Sequence, residues 1–246
     1  MVGFLAIRLQ NYARLSTEDR AALDSVSRAS VHEAAPRRDI VREGDDPKFV
    51  RLIISGWACR YKGLPDGRRQ IVGIFIPGDF CDLNVYILKE MDHTIGAITR
   101  VQYAAIAPEE MTKLSSTRPR IAQALWWHEL VDAAIQREWL LNIGQRSAYE
   151  RIAHLLAELY LRLRSVRLAE NGTCDFPITQ NDLAEATGLT PVHVNRTLQE
   201  LRRDGLIELA HKRLTIPDLD KLMGASMFNP NYLHLDHEGA HLDAND

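Results

Sequence analysis

Cysteine is scarce: Cys59, Cys81 and Cys174 are an odd number, far apart, in 246 residues. Three scattered thiols make neither a disulfide framework nor a zinc ribbon. They read as reduced thiols of a bacterial-type cytosol. Cys59 is then a small buried hydrophobe on a strand, and Cys81, beside a turn, the better of two weak redox candidates. Long apolar runs are missing as well, and nothing approaches the ~20 residues that a membrane span needs. The first residues, Met1 to Arg8, show no basic leader, long apolar segment or cleavage site, which argues against a signal peptide. Positive charge is not in excess: 30 Lys and Arg stand against 33 Asp and Glu. That excludes a uniformly basic nucleic-acid binder but leaves room for a local basic face. No nucleophile elbow, P-loop, dinucleotide fingerprint or zinc-protease motif occurs. With 46 % hydrophobic and 26 % charged residues the chain has enough apolar matter to fold.

What is present changes character along the chain. The first thirty residues read as helix, with Ser16 and Asp19 spaced as a capping box before Ala21, Ala22, Leu23 and Val26. From about Glu33 the apolar period falls to two. Short strand-like runs at 50–54, 57–61 and 70–76 alternate with turn signals at 43–46, 55–56, 65–67 and 77–79. Short strands at even spacing predict an antiparallel barrel or roll. After Pro119 the pattern turns helical, and Ile121 to Leu141 is apolar on more than one side, including Leu125, Trp126, Leu130, Val131, Ile135 and Trp139. Such a helix is either wholly buried, or covers the roll and pairs with its copy, Ile135 being a candidate for that pairing face.

Residues 179–216 carry the function. Thr179 to Asp182 has capping-box spacing before a short helix, Gly188 permits a tight turn, and Thr190-Pro191 starts a second helix. Val194, Leu198 and Leu201 recur at helical spacing and face inward, leaving Val192, His193, Asn195, Arg196 and Gln199 outside. Two short strands around Ala210-His211-Lys212 add a wing. This is the helix-turn-helix pattern, with side chains that read base edges on its outer face. A plain helical hairpin is the competing reading, and the six cations against seven acids of residues 176–222 do not decide between them.

Ile178 to Ile207 resembles the winged-helix DNA-binding domain of the Crp/Fnr transcription-regulator family. The turn landmarks Val41 to Asp45, Ser55-Gly56, Asp66-Gly67 and Pro77 to Phe80 resemble its cyclic-nucleotide-binding roll, and Glu150 to Ala153 resembles the start of its DNA-binding domain. The likeness covers about residues 10–222. It implies an α+β chain: an antiparallel, jelly-roll-like sensory β-roll over 1–117, a dimerisation helix over 118–146 and a winged helix-turn-helix over 147–222. Residues 223–246, with four acids and no Lys or Arg, are expected to be a flexible acidic tail. The implied partners are a palindromic double-stranded operator, a second copy of the chain and RNA polymerase, in the cytoplasm and without a membrane.

By the same resemblance Arg196 matches the family's guanine-reading arginine, with Val192, His193, Asn195 and Gln199 beside it and Thr190, Arg202, Arg203, Lys212 and Arg213 as phosphate contacts. Val192 stands where the family often has glutamate, and Pro191 where the cyclic-AMP receptors carry an extra arginine. The effector side departs further. Asp82 replaces the ribose-binding glutamate, His93-Thr94 replaces the Arg-Ser/Thr pair of the cyclic-AMP receptors, and Gln136 and Arg137 align with the positions facing adenine. Without the always-charged guanidinium fork, cyclic AMP is not the expected effector, and the roll pocket is left to an unidentified one, such as another anion within reach of Arg137. No cofactor is expected: the first cysteine is Cys59, so the Fnr-type iron–sulfur cluster has no ligands. His234, His237 and His241 belong to the expected tail rather than to a metal site, and His128 is a packed histidine rather than a haem ligand. An enzyme of the cupin sort would need clustered His and carboxylate ligands inside the barrel, where His93 stands alone. The remaining alternative is a ligand-binding or protein-interaction module that keeps the fold without specific DNA binding.

Overall fold

The computed structural model describes residues 3–28 and 30–235. They fall into two compact units, one of the described residues up to 62, 73–133 and 234–235, the other of 63–72 and 134–233.

The first unit begins with α1 (Phe4–Leu9) and α2 (Thr17–Arg28). Asp19 accepts from the Ser16 amide at 3.0 Å while the Ser16 hydroxyl accepts from the Asp19 amide at 3.1 Å, closing the expected capping box. Seven strands follow: β1 (Val31–Ala34), β2 (Asp39–Val41), β3 (Val50–Ser55), β4 (Ala58–Gly63), β5 (Arg69–Phe75), β6 (Thr94–Ala97) and β7 (Val101–Ile106). They form two sheets, β1-β7-β3 and β2-β6-β4-β5. Ala34, Ile53 and Val101 of one sheet meet Val41, Ala58, Phe75 and Ile95 of the other in a shared apolar core. That is the roll.

Two of the glycine turns are obligatory. Gly56 has φ +81°, and a Cβ there would stand 2.1 Å from the Arg100 carbonyl oxygen. Gly78 has φ +93° and meets the Phe4 carbonyl in the same way at 2.8 Å. The close approach at Gly78 lets α1 dock on the turn, where Arg8 reaches the buried Asp79 at 2.6 Å.

After α3 (Pro108–Thr117) the long helix α4 runs from Pro119 to Gln145 and contributes to both units. Ile135 does not point outward as expected; it is buried with Val131 in the stripe that this chain itself covers. Trp126 and Leu130 lie roughly 140° round the helix from that stripe and stay 71 % and 61 % exposed. With Ser115, Pro119 and Trp127 they line an apolar groove of about 640 Å³.

The second unit is built on α5 (Ala148–Ser165), every residue of which is buried from Ile152 to Leu163. Ser147 and Glu150 cap it reciprocally. Packed around it are α6 (Gln180–Thr187), α7 (Pro191–Arg203) and α8 (Leu219–Ala225). A four-stranded sheet of order β10-β11-β9-β8 joins β8 (Ala169–Glu170), β9 (Thr173–Asp175), β10 (Glu208–Ala210) and β11 (Arg213–Thr215).

The expected tail is the main correction. Residues 223–233 do not leave the fold: α8 crosses that boundary, and Phe228, Tyr232 and Leu233 are buried. The Tyr232 hydroxyl donates to Glu158 at 2.9 Å, beside two contacts from Trp139 Nε1 and an ion pair to Arg162 at 3.3 Å. Arg146, at the α4–α5 corner, donates to the Ser226 carbonyl at 3.2 Å. An apolar anchor every few residues outweighs the net charge on which the tail was inferred. Residues 236–246, with His237 and His241, lie outside the described residues, and the His234 ring lies edge-on to Trp127 at 5.3 Å.

Burial raises the Glu158 carboxyl above its ordinary value, although Arg162, Trp139 and Tyr232 favour its charge. Removing one donor therefore leaves a buried acceptor short. Tyr232→Phe should cost about 1–3 kcal/mol of unfolding free energy in urea. An unchanged midpoint would mean that this segment does not hold the second unit together.

Candidate functional site

Two groups of expected site residues can be followed separately, one in each unit. In the second unit the Thr179 hydroxyl accepts from the Asp182 amide at 3.2 Å, and Asp182 accepts in return from the Thr179 amide at 2.9 Å. Gly188 ends α6 in the left-handed conformation at φ +67°. The Thr190 hydroxyl then caps α7 through the His193 amide at 3.2 Å, with Pro191 in the first turn. Val194, Thr197, Leu198 and Leu201 are buried, so α7 must turn its other side outward.

That side carries the expected readers. Val192, Arg196 and Gln199 are exposed, and His193 and Asn195 are half-buried. Arg196 has no ion-pair partner among the described residues, so its guanidinium fork is open to a ligand. Asn195 is held: its Nδ2 donates to Gln180 Oε1 at 3.2 Å, and its Oδ1 accepts from Gln199 Nε2 at 3.0 Å. Gln180, on α6, was not expected to belong to the site; its place as the first residue after the Thr179 cap was the available signal.

The expected phosphate contacts divide. Lys212 and Arg213 are exposed in the wing, where His211 and Lys212 take φ of +50° and +60° between β10 and β11. Arg203 is exposed, with Asp204 3.5 Å away. Arg202 is turned inward enough to donate to the Leu209 carbonyl at 3.0 Å, which ties the end of α7 to the wing. Thr190 is exposed and keeps its hydroxyl proton while it caps. Arg151 steadies the frame by donating to the carbonyls of Thr187 at 2.7 Å, Ile143 at 2.8 Å and Arg146 at 2.9 Å.

In the first unit Asp82 and His93 come together, His93 Nε2 lying 3.1 Å from Asp82 Oδ2. Their centre is a residue that the sequence reading missed, Arg60 on β4. Its guanidinium is buried over the Phe75 ring, 5.1 Å from the centroid, and bonds Asp82 Oδ1 at 2.8 Å, Asp132 Oδ2 at 3.3 Å and the Cys81 carbonyl. Strand alternation was the available signal, because Arg60 shares a face with Ala58 of the core. Thr94 faces the 43–46 turn instead, its hydroxyl accepting from the Glu43 amide at 3.0 Å. Gln136 and Arg137 are exposed on α4 in the second unit.

Asp82 is therefore already engaged by Arg60 and His93. Around it stand Asp92, Asp132 and Glu129. The Glu129 carboxyl is raised by burial and by the charges of Asp132 and Asp82. His93 is raised as well: burial opposes its charge, but Asp82 and Asp92 outweigh that. Burial is the larger cause at Glu129, whereas at His93 the neighbouring acids prevail over burial. Cys81 is buried, and burial pushes its thiol well above its ordinary value. The three cysteines are all buried, and no group of His, Cys, Asp and Glu among the described residues is arranged to hold a metal.

A histidine whose folded pKa is raised stabilises fully below its unfolded value, near 6.5, and loses that contribution as pH rises through the folded one. Urea midpoints followed from below pH 6.5 to well above it should fall for the wild type relative to His93→Gln. Parallel curves would remove the Asp82–His93–Asp92 bridge from the stability of the roll.

Comparison with known proteins agrees with both halves. Residues 31–118 match the cyclic nucleotide-binding domain, and residues 150–225 match the Crp-like helix-turn-helix domain. The chain is 30 % identical over 215 residues to the transcriptional activator protein FnrL of Cereibacter sphaeroides, covering 86 % of this chain and 85 % of that one. It is 33 % identical over 167 residues to the nitrogen fixation regulation protein FixK of Bradyrhizobium diazoefficiens, covering 68 % and 69 %. The solved structure of FixK2 from Bradyrhizobium japonicum shares the fold, with a TM-score of 0.71 at 24 % identity over 80 % of this chain and 96 % of that one. No helix among the described residues is long and apolar enough to cross a membrane. A roll, a long helix and a winged helix with the outer side of α7 exposed, matched along most of the length of such relatives, make this chain a member of the Crp/Fnr family of DNA-binding transcription regulators.

Proposed function

We propose that the chain acts in the cytoplasm as a homodimer on a palindromic operator, with Arg196 of each copy reading a guanine. The observation that carries this reading is the exposed, unpaired Arg196 one turn into a helix whose opposite stripe is buried. A guanidinium so placed forms two bonds to guanine O6 and N7. Arg203, Lys212 and Arg213 would take phosphates, and RNA polymerase would be the protein partner, in keeping with relatives named as activators. The second copy would cover Trp126 and Leu130, an apolar pair at i and i+4 that stands open on the single chain. A two-fold reader requires such a partner.

On the effector side, the reading is a roll that takes no cyclic AMP. Its buried guanidinium is already matched by two carboxylates, and a cyclic phosphate would have to break those pairs amid further acids. The interaction module without DNA binding is disfavoured by the open reading face.

One set of measurements tests these statements together: affinity for DNA selected from a random pool, and for scrambled DNA, at one salt concentration. Arg196→Ala should cost roughly 2–6 kcal/mol on the selected site if the two half-sites add. Scrambled DNA should be affected much less, because that binding comes from phosphates. Equal losses on both would make Arg196 a phosphate contact. Leu130→Asp should sediment as a monomer and bind the selected site weakly, and a normal dimer would exclude that face. Added cyclic AMP should change none of these affinities; a shift that Asp82→Ala abolishes would restore it as the effector.

A further inference from the structure

Val192 is 81 % exposed, the highest value for a large apolar side chain among the described residues. Its exposed apolar neighbour along the chain is Pro191, which precedes it. His193, Asn195, Arg196 and Gln199 share the outward side of α7, and all are polar. Its backbone is fixed by the Thr190 cap and by Pro191 immediately before it. Its branched side chain is stiff, so little rotamer freedom remains to be lost on contact. The chain thus presents a rigid aliphatic knob, one turn before its open guanidinium, on a surface otherwise built for hydrogen bonding.

We infer that Val192 is a specificity-determining residue that packs against the C5-methyl group of a thymine beside the guanine read by Arg196. This rests on the DNA reading above and adds the base that the helix selects next to it. The floor of the major groove offers donors and acceptors at every base pair, and one apolar feature, the thymine methyl. An isopropyl group can neither give nor accept a hydrogen bond. Pressed against cytosine N4 or adenine N6 it would strip water from a donor and return nothing. Against thymine it removes two apolar surfaces from water at once. Residues at i and i+4 are about 5–6 Å apart on a helix surface, and base pairs are about 3.4 Å apart along the duplex. The thymine therefore lies one or two base pairs from the guanine.

The experiment separates the methyl from the rest of the base. The full-length protein is used to select a site from random DNA, and duplexes are then made with uracil replacing each thymine of one half-site in turn. Uracil keeps every hydrogen-bonding group and lacks only the methyl. At one thymine, within two base pairs of the guanine whose replacement is felt by wild type and not by Arg196→Ala, uracil should weaken wild-type binding about fourfold, the worth of one buried methyl group. Val192→Ala should bind the thymine and uracil duplexes equally well, and its exposed position leaves the fold intact. A selected site that depends on Arg196 but shows no uracil effect at any thymine would overturn the role of Val192 and leave the reading helix standing. A uracil effect that survives in Val192→Ala would do the same. If no common site is selected, the DNA reading fails and this inference with it.

Discussion

The outer side of α7 depends on one constraint: the helix must bury the stripe of Val194, Leu198 and Leu201 against α5 and α6. Burying three such side chains is worth several kcal/mol, far more than any single contact on the outer face. Once that stripe is satisfied, the rotation of the helix is settled and its opposite side has no freedom in what it presents. Gly188 and the Thr190 cap set where the helix begins, and Arg151 ties the end of α6 to the corner between α4 and α5. Arg196 itself contributes nothing visible to stability. Its place is set by the buried stripe and the cap rather than by bonds of its own side chain, and it stays exposed.

The roll shows the opposite arrangement. Arg60 is surrounded by groups of its own chain, and the carboxylates Asp82 and Asp132 come from the 79–83 turn and from α4. An ion pair at this depth is retained only where both partners are well bonded, since taking charges from water is costly. Here Arg60 also stacks on Phe75 and bonds the Cys81 carbonyl, so its bonding capacity is largely used. The strand, the turn and the long helix of the first unit are joined by this guanidinium.

Much of the architecture was legible because it is written locally. Ser16 with Asp19, Thr179 with Asp182, and Thr190-Pro191 are signals within four residues, and each closes as a cap in the structure. Gly56 and Gly78 are turn signals whose necessity is steric. The parts that escaped are of two kinds. Arg60, Asp82 and Asp132 are distant in sequence, and nothing local says that a strand arginine will meet a helix aspartate. The segment 223–233 was misjudged for a different reason. Its lack of Lys and Arg drew attention to charge, whereas Phe228, Tyr232 and Leu233 carried the decisive information. The hairpin of β8 and β9 is a local signal of the same kind: Asn171-Gly172 takes positive φ at both residues, as such a turn requires. Ile135 shows the limit of reading a two-faced helix, since periodicity separates the stripes without saying which is the outer one.

Charge in the second unit limits how the protein can bind DNA. Residues 176–222 hold six Lys and Arg against seven acids, and Arg202 is partly committed to the Leu209 carbonyl. Along α7 and the wing the exposed cations are Arg196, Arg203, Lys212 and Arg213, and phosphate contacts supply nearly all sequence-independent affinity. On the proposed reading, discrimination would come from base-edge contacts, to which the open Arg196 and the exposed Val192 would contribute. Weak general binding leaves less of the protein held at irrelevant sites, so the modest local charge that made the helical hairpin ambiguous in the sequence works in favour of selective binding.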